Sequence, residues 1–121
     1  MKGFKDLKGL IIKSPWIEYI FSGSKTWEIR GSNTKIRGEV YLIKSGSEHI
    51  YGTAEIIDCI ELSLEQYQSA YNMHRIPLEF LDQLPYRRTY AWILKNAKLF
   101  SKPLKYKHPQ GAVIWVNIES K

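Results

Sequence analysis

The sequence predicts an α+β fold: a small, mostly antiparallel, strongly curved sheet or open barrel with helices plugging its ends. Three observations carry this. The elements run β-α-β-β-β-α-α-β-β, so strands outnumber helices. The helices sit as insertions without strict βαβ alternation, which argues against a doubly wound parallel sheet. The chain has 121 residues, 44% of them hydrophobic and 25% charged, enough for one domain over 1–121 and its core.

The elements follow from local pattern. "LKGLIIK" (Leu7–Lys13) is an apolar run bounded by charge, hence a strand. Ser14 suits a helix N-cap and Pro15 the first helical position; Trp16, Ile17, Ile20 and Phe21 form a stripe at helical spacing, closed by Gly23. "KTWEIR" alternates: Trp27 and Ile29 face the core, while Thr26, Glu28 and Arg30 share the other face. "GSNTKIRG" is turn-rich. "EVYLIKSG" and "IYGTAEIIDCIEL" are strands, the first ending at Lys44 and Ser45. "SLEQ" (Ser63–Gln66) is a capping box opening a helix with Leu64, Tyr67 and Tyr71 on one face. A short helix is expected from Pro77, closed before Pro85. "TYAWILKNAKLF" has apolar residues on both faces and reads as a central strand; "GAVIWVNI" reads as a final buried strand.

Charge is unevenly spread. Residues 1–50 carry nine Lys/Arg against five Asp/Glu, residues 51–85 one against six, and residues 86–121 eight against one. If the two basic flanks meet in one sheet, they favour an anionic partner. A single cysteine, Cys59, excludes an internal disulfide and suits the cytoplasm. No apolar run approaches the roughly 18–20 residues that span a bilayer, and "MKGFKDLKGL" has no signal-peptide core. No membrane association is therefore expected. Composition leaves the oligomeric state open.

Several chemistries fail on pattern. "GSKT" lacks the glycines of a phosphate-binding loop and stands between a helix and a strand in the wrong order. His49, His74 and His108 are dispersed, Cys59 has no nearby partner, and no metal or cofactor is expected. Each histidine is expected to be structural or exposed, and Cys59 to be a buried, inert thiol. What remains is the polar face of "KTWEIR", with Lys25 preceding it. On its own, that face reads equally as a solvated strand with a weak ion pair. Cations interleaved with rings, such as Tyr86-Arg87-Arg88, add a nucleic-acid signal, although most of Trp16, Tyr90, Trp92 and Trp115 must be core.

"PWIEYIFSGSKTWEIRG", then "GEVYLIKSG", then "YAWILKNAKLFSKPLKYKHPQGAVIWV" together resemble an ASCH domain, a member of the PUA-like superfold of small β-barrels. The resemblance covers roughly Leu7 to Ile118 and centres on Gly-x-Lys-Thr-x-Glu-x-Arg. It implies RNA or modified-nucleotide recognition in a basic cleft, with Lys25, Thr26, Glu28 and Arg30 in it and Lys44 and Ser45 flanking. In a binder, Lys25, Arg30, Lys44 and Lys107 contact phosphate, Glu28 accepts from a base amino group, and Trp16 stacks. Some ASCH proteins are enzymes. One bacterial subgroup hydrolyses N4-acetylcytidine with a Lys, a Thr and a Glu; Lys25 matches that Lys, and Glu28 occupies the position of that Thr. The alternative is thus a small hydrolase of a nucleoside amide or RNA phosphodiester, with Lys25 as base or nucleophile and Glu28 as proton relay. A third reading is a non-catalytic protein-interaction domain. For a binder, replacing Lys25 by Ala should weaken binding with little change in stability.

Overall fold

The computed structural model describes residues 6–119; the reading of residues 1–5 and of the last two positions lies outside them. Six strands form one mixed sheet: β1 (Leu7–Ile12), β2 (Trp27–Arg30), β3 (Gly38–Lys44), β4 (His49–Leu62), β5 (Thr89–Lys105) and β6 (Trp115–Ile118). Their spatial order is β2-β5-β4-β3-β1-β6. β1 runs parallel to β3, and the other pairings are antiparallel.

The expected barrel is a half-barrel, because β2 and β6 do not pair with each other. It curls enough for rings from opposite sides to meet. Trp92 on β5 stacks on Trp115 of β6, 5.7 Å between centroids and 15° between planes. Arg30 on β2 donates from Nη2 to the Ile11 carbonyl of β1 at 2.8 Å. Side chains therefore bridge the gap that backbone pairing leaves. The basic flanks do meet in the sheet, through the β1–β6 register Leu7↔Ile118.

Period-two alternation sorts β1 and β3 between two clusters. Leu10, Ile12, Val40 and Leu42 enter the main core with Ala54, Ile56, Trp92 and Leu94. Ile11, Tyr41 and Ile43 enter a second cluster with Ile50, Val116 and Ile118. The expected buried final strand is an edge strand instead, only four residues long and alternating between buried and open positions. β5 is central as expected, but it is buried only along its first half.

Helix α1 (Trp16–Ser22) buries Ile17 and Ile20 in the main core and ends at Gly23, φ 86°, as its sequence predicts. Its start differs. Pro15 takes the N-cap position, and the Ser14 hydroxyl donates to the Glu18 carboxylate (2.8 Å) instead of capping backbone N–H groups. The Ser63–Gln66 capping box is present in full. The helix it opens splits into α2 (Leu64–Ser69) and α3 (Tyr71–His74), so of the expected face only Tyr67 is buried. Tyr67 joins Ile29, Leu62, Leu81 and Ala91 in a third cluster. The helix expected after Pro77 is a single 3₁₀ turn, Leu78–Phe80. Cys59 is half-buried, not fully enclosed.

Gly52 marks a close approach of β4 to β5 and α1. A Cβ there collides with the Lys98 backbone carbonyl and with the Phe21 ring at 2.7 Å. A backbone carbonyl in a ladder cannot swing aside as a flexible side chain can. Gly52→Ala is expected to destabilise the fold by about 1–3 kcal/mol, as overpacking does, read as a lower urea midpoint at unchanged slope.

Candidate functional site

The chain from α1 into β2 is held from both sides. Lys25 N–H donates to the Tyr19 carbonyl of α1 (3.1 Å). Thr26 N–H donates to the Met73 carbonyl of α3 (2.9 Å), and the Thr26 carbonyl accepts from Leu94 N–H of β5 (2.8 Å). Arg75 reaches back to the Ser24 carbonyl (2.7 Å). This clamp turns the Lys25 side chain inward, where it is 2% exposed.

Lys25 Nζ donates to the carbonyls of Trp27 (2.6 Å) and His74 (2.8 Å). It lies 3.6 Å from Glu28 Oε1 and 4.9 Å from the centroid of the Trp16 ring. Glu28, 5% exposed, takes its second partner from Arg30, whose Nε and Nη2 each lie 2.9 Å from Oε2. Arg30 in turn lies over Trp92, 5.4 Å from its ring. The register explains the meeting, since Glu28 stands directly opposite Trp92 on β5. Lys25, Glu28 and Arg30 thus form one chain of charge.

Burial pushes the Lys25 ammonium's pKa down; Glu28 opposes this and Arg30 adds slightly to it. Geometry still favours the charged form. With two N–H groups spent on carbonyls, the third direction faces a carboxylate, where a neutral amine would aim a lone pair.

His74 completes the frame. It is fully buried and lies against Tyr67, with centroids 5.0 Å apart. Its Nδ1 accepts from Ile76 N–H (2.9 Å), so Nε2 carries the proton and donates to the Tyr67 carbonyl (2.8 Å). The ring is neutral, and desolvation, together with the nearby Lys25 charge, lowers its pKa below the usual 6.5.

A cavity of about 560 Å³ opens on this cluster. Of the sequence-predicted residues, Trp16, Lys25, Glu28, Arg30 and Ser45 line it. Three others do not. Thr26 precedes the first β2 residue, and its hydroxyl turns to Met73 Sδ (3.7 Å). Lys44 pairs with Glu18 (3.1 Å) and lies over Tyr51. Lys107 is exposed and outside the lining. Trp16, which lines the cavity, also carries Lys25 over its ring.

Other lining residues were not among the site residues expected from sequence: Lys13 just after β1, Tyr67 from α2, and Phe80 and Tyr86 from the connection before β5. Tyr86 had a signal in its basic neighbours. Its seat depends on Gly31, where a Cβ would stand 2.8 Å from the Tyr86 ring. Lys13 carried no signal beyond its charge. Trp27, expected in the core with Ile29, is only half-buried, whereas Ile29 is buried.

A family model describing the ASCH domain matches residues 10–104. The chain belongs to the ASCH domain family. Among solved structures, this ASCH domain is similar to the crystal structure of ASCH from Zymomonas mobilis. The TM-score is 0.71 at 13% identity, over 94% of this chain and 88% of that one. A tyrosine-to-phenylalanine mutant of the Zymomonas protein gives 0.71 at 12% identity, over 95% and 91%. A serine-to-alanine mutant gives 0.66 at 13%, over 94% and 89%. No curated protein matches by sequence. The ASCH family is associated with RNA binding. Among the described residues, no group of three or more His, Cys, Asp or Glu is placed to hold a metal ion. No helix there is long and apolar enough to cross a membrane.

The geometry corrects one expectation: Lys25 is a structural cross-link as well as a candidate contact. Lys25→Ala orphans two carbonyls, each at about 1–3 kcal/mol when buried, while Arg30 still compensates Glu28. A net loss of about 2–4 kcal/mol is expected, with Lys25→Met, which keeps the stem, losing a similar amount; chemical denaturation measures both. For His74, the unfolded state takes a proton below about pH 6.5 while the folded state resists. Stability from this group is full above pH 6.5 and declines as pH falls through the window down to the lowered folded value. The melting temperature is expected to drop between pH 7.5 and 5.5, and to drop less in His74→Gln.

Proposed function

We propose that this domain binds single-stranded RNA by taking one nucleobase, standard or modified, into the cavity over Lys25, Glu28 and Arg30. The observation that carries the reading is a buried carboxylate held between two cations at the wall of a cavity whose lining also includes four aromatic rings, Trp16, Tyr67, Phe80 and Tyr86. Glu28 Oε1, only 3.6 Å from Lys25, retains capacity to accept from a base amino or imino group. Phe80 and Tyr86, 59% and 46% exposed at the mouth, offer stacking faces. The lining holds three cations, Lys13, Lys25 and Arg30, against two carboxylates, Glu28 and Asp82, which makes the cleft mildly basic. The volume of about 560 Å³ falls among small-ligand sites, which span about 300–1,000 Å³. A cytoplasmic location belongs to the same proposal.

Labelled single-stranded RNA titrated at several salt concentrations is expected to show log K falling with log salt, by about 0.7 per phosphate neutralised. Absence of binding at low salt, or a flat response, would overturn the reading.

One observation favours a second reading, hydrolysis of a nucleoside amide such as N4-acetylcytidine: Lys25 and Glu28 converge within the cavity. In this second reading, the hydrogen bonds of Lys25 favour Glu28 as the base. Lys25, donating to two carbonyls and facing Glu28, is not placed as the base; it holds the Glu28 carboxylate in position. Glu28 takes the proton from the attacking water. Glu28 returns that proton to the leaving nitrogen as the amide C–N bond breaks, and cytidine and acetic acid form, the acid ionising to acetate. Glu28→Gln separates the readings, provided that melting shows the variant folded. A binder is expected to keep its affinity within about tenfold, whereas a hydrolase is expected to lose about 10²–10⁴ in turnover, followed by chromatography of N4-acetylcytidine and cytidine.

A further inference from the structure

A second cavity, of about 470 Å³, adjoins the first. The two share Ile11, Lys13, Ser45 and Val113 as lining, so they adjoin across a common wall. The second cavity continues past Gly46 and Glu48 to Tyr106, His108 and Ala112. It is built independently of the Lys25 cluster. Its far side is the segment after β5, anchored where Tyr106 N–H donates to the Glu48 carbonyl (3.2 Å).

The features of this cavity suit a nucleotide better than an isolated anion. His108 is locked: Nδ1 meets the Tyr106 hydroxyl at 2.6 Å, and Nε2 donates to the Ala112 carbonyl at 2.9 Å. A ring fixed at both nitrogens is a low-entropy stacking surface. The charged groups at this cavity are Lys13 and Glu48 with His108 beside them, so the cavity has no excess of cations to draw in a phosphate by itself. Lys13, however, belongs to both cavities, and its side chain is exposed. Val113, 76% exposed, stands on the same shared wall as an apolar ridge.

We propose that the second cavity holds a neighbouring nucleotide, so that the ligand class is a single-stranded RNA of at least two nucleotides, not a free nucleoside. Lys13 meets the phosphate that links the two, Val113 separates the two bases, His108 stacks on the second base, and the Glu48 carboxylate accepts from a ribose hydroxyl or base amino group. This rests on the reading of the first cavity as a nucleobase site and adds a direction to it: the strand runs from the Glu28 side across β1 towards the segment after β5.

Isothermal titration with the ribonucleosides and the ribodinucleoside monophosphates of all four bases tests this. The best dinucleotide is expected to bind at least about tenfold tighter than the best nucleoside, equivalent to about 1.4 kcal/mol. His108→Ala is expected to erase that advantage while nucleoside affinity stays as in the unmodified protein. Lys13→Ala is expected to flatten the salt slope for dinucleotides by about 0.7, one phosphate. Because His108 also ties down Ala112, its melting curve is taken alongside; if that variant unfolds, the exposed Lys13 position carries the test alone. Dinucleotides binding no tighter than nucleosides, or an unchanged salt slope in Lys13→Ala, overturns the two-nucleotide groove and leaves the first cavity's reading standing. If neither nucleosides nor dinucleotides bind, the nucleobase reading itself fails, and this inference with it.

Discussion

The buried ammonium of Lys25 is the constraint around which this domain is organised. A charge taken out of water must be matched on every side or it costs several kcal/mol. Here the match comes from four groups on three pieces of chain: the Trp27 carbonyl and the Glu28 carboxylate at the start of β2, the His74 carbonyl at the end of α3 and the Trp16 ring of α1. None of these elements is long. α1 has seven residues, α3 four and β2 four. Elements so short are marginal alone, and a shared buried cation ties their positions to one another.

The same chain of charge continues outward and helps close the half-barrel. Glu28 passes from Lys25 to Arg30, and Arg30 spans from β2 to the Ile11 carbonyl on β1 while lying over Trp92. The Trp92–Trp115 stack works across the same gap. The cavity opens beside Arg30, between β2, Ile11 of β1 and the connection before β5. Exposed strand edges invite pairing with other chains; here both edges are only four residues long, which limits that hazard.

Rigidity and access are divided between the floor and the rim. At the floor, Lys25 and Glu28 are both at most 5% exposed and held by ion pairs and hydrogen bonds, so they present fixed polar groups. At the rim, Phe80, Tyr86 and Val113 are open to solvent. A fixed polar floor favours selection among hydrogen-bonding patterns, because a mismatched group leaves a buried partner unsatisfied. Open rings at the rim favour contact that tolerates many bases.

Much of the local structure was legible in the sequence, for physical reasons that act at short range. "EVYLIKSG" read as a strand, whose geometry sends Val40 and Leu42 to one side and Tyr41 and Ile43 to the other, Gly23 met the left-handed conformation that a helix end requires, and Ser63 and Gln66 formed their box within three residues of each other. The resemblance centred on Lys25, Glu28 and Arg30 led to the family, and a face shared at alternate positions brought Glu28 to Arg30. What sequence could not determine depends on contacts between residues far apart in the chain. Lys25 is buried because α3, some fifty positions later, supplies a carbonyl. Thr26 leaves the shared face because α3 captures it. Lys44 is spent on Glu18 because β3 ends beside α1. Lys13 joins two cavities because the sheet's curl brings the end of β1 between β2 and the segment after β5. Hydrophobic period and cap chemistry are properties of a few neighbouring residues, whereas the burial of a charge depends on what the whole chain places around it.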